Sequence, residues 1–429
     1  METDPTRMCE LLVGLPEVNV LGVDDGDDRL VVMIESRGPR PACVGCGRPG
    51  RVNDRDVVTL VDLPSFGRPS RLLWRKHRWR CNTQECPVNT WTLNDPRIAA
   101  ARLALTDRAG RWATRQVGRF GRSVADVAAE LDCDWHTVND AVQAYGTALL
   151  DDPGRIGVVN ALGLDETLFV REGPRHLKRW ATSIVDVRRG VLLDMIEGRN
   201  AQPAIDWLGA RSRMWRDQIE WGTLDLSGPY RKVFSEMLGH AAQIADPFHV
   251  VKLANSALDE TRRRVQNETL GHRGHKDDPL YRARRLLTSA DERLDDSGRT
   301  KLLGLLEAGD PRGDVRMAWH AKEVIREIYT IDDATVADEF VARLASDLQD
   351  DSCPPEINRV GRTLARWHPQ ITNWHRANVS NAATESANNL ITRIKRVAFG
   401  FRTFAYYRVR ALLYAGRPNW DLLASVTPR

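Results

Sequence analysis

At 429 residues the chain is too long for one ordinary hydrophobic core and long enough for two or three domains. Apolar residues make up 42% of it, enough for substantial cores, yet no run of about 18 of them occurs, so nothing reads as a membrane span. The formal net charge of +4 excludes little, but its distribution is uneven.

Residues 1–10 carry acids and no apolar stretch, which predicts no signal peptide and a cytoplasmic protein. Residues 17–23 and 29–36 predict two strands around an acidic turn. Within residues 41–91, Cys43 and Cys46 form one pair and Cys81 and Cys86 a second. The seven cysteines are odd in number, which argues against a disulfide framework. Two short knuckles suit a closed, structural Zn²⁺ site, and a segment expected to be poor in core residues would draw its folding free energy from the metal. Four unrelated reduced thiols are the plain alternative.

Residues 71–80 hold five Lys/Arg with Trp74 and Trp79 among them, residues 97–122 seven Arg against Asp107 alone, and residues 393–410 six Lys/Arg and no acid. Each stretch by itself fits a solvated face. Together they suit a partner with a long phosphate backbone, with Arg75, Lys76, Arg78 and Arg80 as contacts from the first. Residues 95–150 read as helical. Ser123 is a candidate cap with Asp126 three residues on, Asp132-Cys133-Asp134 a short turn, and residues 106–119 a supporting helix. This pattern fits an ordinary helical hairpin or a helix-turn-helix that presents Trp135, His136, Thr137 and Asn139 to bases.

The period then changes. Residues 158–164 predict a buried strand ending at Asp165. Strands follow at 180–187, 191–197, 221–226 and 241–245, with helices at 202–215 and 230–238. Strands one and four of such a mixed sheet can lie side by side, bringing Asp165 and Asp225 together; two close carboxylates repel unless a cation lies between them. Glu385 offers a third acid. Glu166 is expected on the opposite face of its strand from Asp165. Residues 249–367 show helical periodicity only, and a last helical stretch runs over 380–414. His249, at a helix start after Asp246, suits either DNA contact or packing. Arg393, Lys395, Arg396 and Arg402 suit backbone phosphates.

Taken in order, these segments resemble the ISL-three family of insertion-sequence transposases over nearly the whole chain. The two cysteine pairs look like its zinc-finger segment and residues 121–144 like its helix-turn-helix. Gly163-Leu164-Asp165-Glu166-Thr167, residues 225–230, and residues 381–389 with 394–401 look like its three catalytic motifs, and residues 245–253 like its strand-to-helix motif after the second acid. The resemblance implies an α+β or α/β multidomain chain. Residues 1–94 would be N-terminal strands with the zinc segment, 95–150 the helix-turn-helix, and 155–248 the first part of an RNase H-like core. Residues 249–370 would be an all-helical insertion and 371–429 the last part of the core. It implies Asp165, Asp225 and Glu385 as ligands of catalytic Mg²⁺ or Mn²⁺, and cleavage and strand transfer on double-stranded DNA. The DNA would comprise terminal inverted repeats and target, engaged by a homodimer or higher multimer with no membrane involved. A catalytically inactive DNA-binding regulator and a nuclease of the same fold without strand transfer are the rival readings.

Overall fold

The computed structural model describes residues 1–15, 17–377 and 379–428, and the chain divides into two compact units, Met1–Gly157 with Asn389–Arg429, and Val158–Asn388. Among the described residues no helix is long and apolar enough to cross a membrane.

The first unit opens with α1 (Pro5–Val13). Asp4 caps it by accepting from the Arg7 N–H, and Gly14 ends it at φ 63°; these are ordinary start and stop signals that the sequence reading passed over. A five-stranded mixed sheet follows: β1 (Val18–Asp25), β2 (Leu30–Ser36), β3 (Arg51–Ser65), β4 (Arg68–Arg80) and the short β5 (Thr90–Thr92). Its order is β1-β2-β4-β3, with β5 also on β4 and with β2 and β4 parallel. The segment between the cysteine pairs is therefore a long hairpin that contributes to a core shared with β1, β2 and Ile98, which corrects the expectation that it is poor in core residues. Leu60, Leu72 and Trp74 are buried with Val18, Ile34 and Ile98. The period of two was hidden in β4 because the residues alternating with its buried ones are mostly cationic.

Three helices complete the core of this unit: α2 (Asp107–Thr114), α3 (Val124–Glu130) and α4 (Trp135–Leu150). Thr106, Ser123 and Asp134 cap them in turn, each side chain accepting a backbone N–H of the first helical turn. Ala109, Ala113, Val127, Leu131, Val138 and Val142 fill the space between them. Val409 and Leu413, from the helix Phe404–Ala415, enter the same cluster, against Gly146, where an added Cβ would lie 3.0 Å from the Val409 side chain and 2.9 Å from that of Leu413. Residues 389–429, expected with the catalytic core, are thus drawn into the N-terminal unit by their apolar face.

The second unit carries β6 (Ala161–Glu172), β7 (Leu177–Asp186) and β8 (Val191–Glu197), then α5 (Ala201–Gly209), α6 (Arg213–Arg216), β9 (Trp221–Leu224), α7 (Gly228–Met237) and β10 (Ala242–Ala245). The sheet order is β10-β9-β6-β7-β8, with β10, β9 and β6 parallel and β7 and β8 antiparallel. Asp165 does not end its strand, as expected, but lies within it. Pairing of β6 with β7 continues to Glu172↔Leu177, past the last rung shared with β9.

From Pro247 to Thr372 the regular structure is helical: α8 (Pro247–Leu270), α9 (Pro279–Thr288), α10 (Asp296–Gly309), α11 (Asp314–Glu327), α12 (Ala334–Asp347) and α13 (Pro355–Thr372). Buried Lys322 caps α9 by donating to the carbonyls of Leu287 and Ser289 at 2.8 and 2.7 Å. Arg264 of α8 ties α11 and α13 together through Asp314 and Glu356 at 3.1 and 2.8 Å. The chain ends in α14 (Trp374–Ala377), α15 (Ala382–Val397) and α16 (Phe404–Ala415). The single stretch expected over 380–414 is broken where Phe399 and Gly400 take φ 54° and 98°.

The tightest test of the first unit is Gly110, where a Cβ would lie 2.5 Å from a ring carbon of Tyr145, whose hydroxyl donates to Asp107 at 2.8 Å. Gly110→Ala should cost about 1–3 kcal/mol by overpacking. Urea unfolding should show an earlier transition, and an unchanged midpoint would refute the packing described.

Candidate active site

The parallel register sets the centre. Ala161 pairs with Trp221 and Leu164 with Leu224, so Asp165 and Asp225 each come directly after the last rung of strands that lie about 4.8 Å apart. Asp165 is 8% exposed. Burial raises its pKa to about 6, with the Asp225 charge adding to it. Asp225 also rises to about 6, chiefly by burial; the charges of Glu166 and Asp246 add to the rise and that of His249 opposes it. Asp165 accepts the Glu166 N–H on Oδ1 and the Asn388 amide on Oδ2, both at 2.7 Å. One oxygen of Asp225 is buried with no hydrogen-bond partner.

α15 is docked on this sheet by polar side chains spaced along one face. Asn381 accepts from the Thr223 hydroxyl at 3.1 Å, and its N–H donates to Asp246 at 3.3 Å. Thr384 lies over Gly163, where an added Cβ would meet its hydroxyl at 2.4 Å. Asn388 holds Asp165 and accepts from the Ser183 hydroxyl at 2.9 Å. Glu385, between these anchors, has a carboxylate oxygen within 4.8 Å of ligand atoms of both Asp246 and His249. His249 Nδ1 lies 2.9 Å from Asp246 Oδ2. That bond is the main reason its pKa is raised; burial opposes the rise, while Asp246, Asp225 and Asp165 all favour the cation.

The expected acids therefore fall into two adjoining groups, Asp165 with Asp225 and Glu385 with Asp246 and His249, linked by the field of the imidazole. Asp246 and Asn388 were missed as site residues. Both lie in segments singled out in the sequence, but their partners are brought to them only by tertiary packing. Glu166, expected on the far face, still feels its way into the site electrostatically, raising both aspartates, while its side chain reaches Arg199 at 3.6 Å. Oxygen ligands with one imidazole suit a hard or borderline divalent cation. The orphaned Asp225 oxygen is what such an ion would satisfy.

The four cysteines converge, with all four sulfurs within 4.8 Å of one another. Cys43–Cys86 and Cys46–Cys81 are 3.7 and 3.6 Å apart. A tetrahedron of roughly 2.3 Å metal–sulfur bonds has edges of roughly 3.8 Å, so the arrangement fits Zn²⁺. The Cys46 thiol falls to about 6, first through the Arg48 backbone N–H and then the Thr83 hydroxyl.

The expected DNA contacts are unevenly placed. Arg78 and Arg80 are exposed, whereas Arg75 pairs with Glu35 at 2.9 Å and Lys76 donates to Asn94 at 2.5 Å. Trp135 and His136 are exposed at the start of α4 and Thr137 is half-buried. Asn139 is buried, at 3% exposure, and so leaves the surface set: its position on α4 turns it into the helical core. Arg393, Arg396 and Arg402 are exposed and Lys395 half-buried.

Residues 162–411 match the sequence profile of the ISL-three family, described as transposase. Two curated relatives, each named transposase for insertion sequence element IS1557, come from the CDC 1551 / Oshkosh and H37Rv strains of Mycobacterium tuberculosis. Each is 27% identical over 443 aligned positions, spanning 92% of both chains.

The raised aspartates give a signed prediction. In folded, ion-free protein they hold protons that the unfolded chain releases near pH 4, so their contribution to stability falls as pH rises from about 4 to about 6. With EDTA at pH 7, Asp225→Asn should be more stable than wild type by on the order of 2 kcal/mol, and the gap should close at pH 4. Urea unfolding at both pH values checks this; a variant less stable than wild type at pH 7 sinks it.

Proposed function

We propose that this chain, which belongs to the ISL-three family of transposases, cuts the ends of an insertion sequence and joins them to target DNA with a DDE site built from Asp165, Asp225 and Glu385. The observation that carries this reading is the pair of buried aspartates, Asp165 and Asp225, that follow the last rung shared by β6 and β9 and are both raised to about 6. The order β10-β9-β6-β7-β8, with the third acid on a helix docked against the sheet, supports an RNase H-like core.

Asp165 and Asp225 would hold one divalent ion between them, with Glu385 supplying the further carboxylate. Bound there, Mg²⁺ or Mn²⁺ neutralises charge building on the scissile phosphate and lowers the pKa of an attacking water or 3′-hydroxyl. Asn388 and the Glu166 N–H fix the orientation of the Asp165 carboxylate. His249, held by Asp246, is protonated more readily than a free histidine and would donate to a phosphate oxygen. Water attacks a phosphodiester at the element's end, and the freed 3′-hydroxyl then attacks the target, with no protein-bound intermediate.

The remaining parts recognise DNA. Cys43, Cys46, Cys81 and Cys86 hold structural Zn²⁺ beside the strand that exposes Arg78 and Arg80. α2, α3 and α4 act as a helix-turn-helix, with Trp135, His136 and Thr137 at the leading end of the recognition helix. Arg393, Lys395, Arg396 and Arg402 contact backbone phosphates. The domain scheme keeps residues 1–94, 95–150, 155–248 and 249–370 as functional regions, with Glu385 completing the core. Two ends must be joined together, so the working form is a homodimer or larger assembly on nucleoid DNA in the cytoplasm.

Purified protein with Mg²⁺, labelled element ends and a target plasmid should give both 3′-cleaved ends and joined products. Asp165→Asn, Asp225→Asn and Glu385→Gln should each lower product at least about 1,000-fold while binding the ends within a few-fold of wild type. Cut ends without joined products would identify a nuclease. Unchanged products in all three variants would overturn the site.

A further inference from the structure

We propose that Phe399 is a wedge that enters the base stack of duplex DNA at the element's end. The proposal rests on the transposase reading above and goes beyond it in naming the residue that opens the helix. Phe399 is 97% exposed, the most exposed large apolar side chain after Met1. It lies at φ 54°, in the left-handed region where glycine belongs and a bulky side chain is disfavoured. The turn that holds it is hydrogen-bonded: Ala398, Phe399 and Gly400 donate their N–H groups to the carbonyls of Ile394, Arg396 and Lys395 at 3.0, 3.0 and 2.9 Å. A disfavoured residue, fixed in place and turned to solvent, does nothing for folding.

Its neighbour two residues on behaves differently. Phe401 packs back, its ring centroid 5.2 Å from that of Tyr407, whereas Phe399 makes no such ring contact among the described residues. The surroundings identify the partner. Arg393, Arg396 and Arg402 are exposed on either side, and from Ser386 to Trp420 the sequence holds no acid. An apolar tip flanked by exposed cations matches a polymer with anionic edges and a flat, stacked interior, and apolar side chains that enter a base step unstack it.

Phe66 provides an internal control. It is 90% exposed at φ 52° on the β3–β4 turn, but its neighbour Arg68 is paired with Asp25 at 2.6 Å, beside the acids Asp24, Asp27 and Asp28. The same tip in acidic surroundings should not meet DNA.

The test uses the full chain and duplexes spanning the element's end, with 2-aminopurine at successive terminal positions. Wild type and Phe66→Ala should raise fluorescence at one step near the end. Phe399→Ala should reduce that rise at least about fivefold while keeping the same dependence of affinity on salt, because phosphate contacts are untouched. A mismatch at that step should restore the variant's affinity toward wild type, since the opening is then already made. Phe399→Gly should melt no lower than wild type, which separates the wedge from a structural role. Equal fluorescence from Phe399→Ala and wild type overturns the proposal. So does a change in the mass of the DNA-free protein on Phe399→Ala, which would make this tip an interface between copies. Loss of Phe399-dependent binding to anionic vesicles rather than DNA overturns it as well. Wild type that binds no duplex in a salt-dependent way brings down the transposase reading itself.

Discussion

The second unit is organised around an electrostatic conflict. Parallel pairing of β6 with β9 is a backbone matter, fixed by rungs from Ala161↔Trp221 to Leu164↔Leu224, yet its continuation forces two carboxylates into one buried space. Among the described residues no Lys or Arg forms an ion pair with either carboxylate, and only the His249 charge opposes the rise in their pKa. Asn388 and the Glu166 N–H satisfy Asp165 as hydrogen-bond donors without carrying charge, and the cation nearest in influence, His249, is itself engaged by Asp246. That repulsion, beside a third carboxylate on a helix anchored by hydrogen bonds, is what supports the proposed cation-dependent site.

The anchoring of α15 follows the same logic. Apolar packing tolerates sliding, whereas hydrogen bonds from Asn381, Thr384's seat on Gly163, and the Asn388 amide fix both rotation and register. Gly163 matters because no other residue leaves room there: a Cβ would meet Thr384 at 2.4 Å and Thr223 at 2.9 Å. The glycine two residues before Asp165 is thus a docking surface for the helix that carries Glu385. The first unit shows the contrary habit, with alanines, valines and leucines of α2, α3 and α4 closing on Val409 and Leu413.

Much of this was legible in the sequence where the signal is local. The caps Ser123 and Asp134, the knuckle cysteines, and the strands at 180–187 and 191–197 all announce themselves through residue type and period. Asp165 and Asp225 were found because each ends or follows a short apolar run, although the strand bearing Asp165 runs on to Glu172, held by β7 alone. What escaped was non-local. The β3–β4 hairpin hides its period behind arginines, Asn139 faces inward because its helix buries that stripe, and residues 389–429 fold with a segment far behind them in the chain. Asp246 and Asn388 look like ordinary polar residues until the sheet and α15 bring partners to them.

The helices between Asp225 and Glu385 pose a last question, since a long excursion should leave the third acid loosely placed. Its two ends are tied to the same strand. α8 starts immediately after β10, at Asp246, and α13 returns against β10 and α8, where Asn373 donates to the Gln243 carbonyl at 3.0 Å and Arg264 of α8 grips Glu356 of α13. The closure entropy of the loop grows only slowly with its length, and it is met once, at this junction. The position of Glu385 is then set by β10 and by the polar seat of α15, and the helices beyond the junction are free to vary in length without moving it.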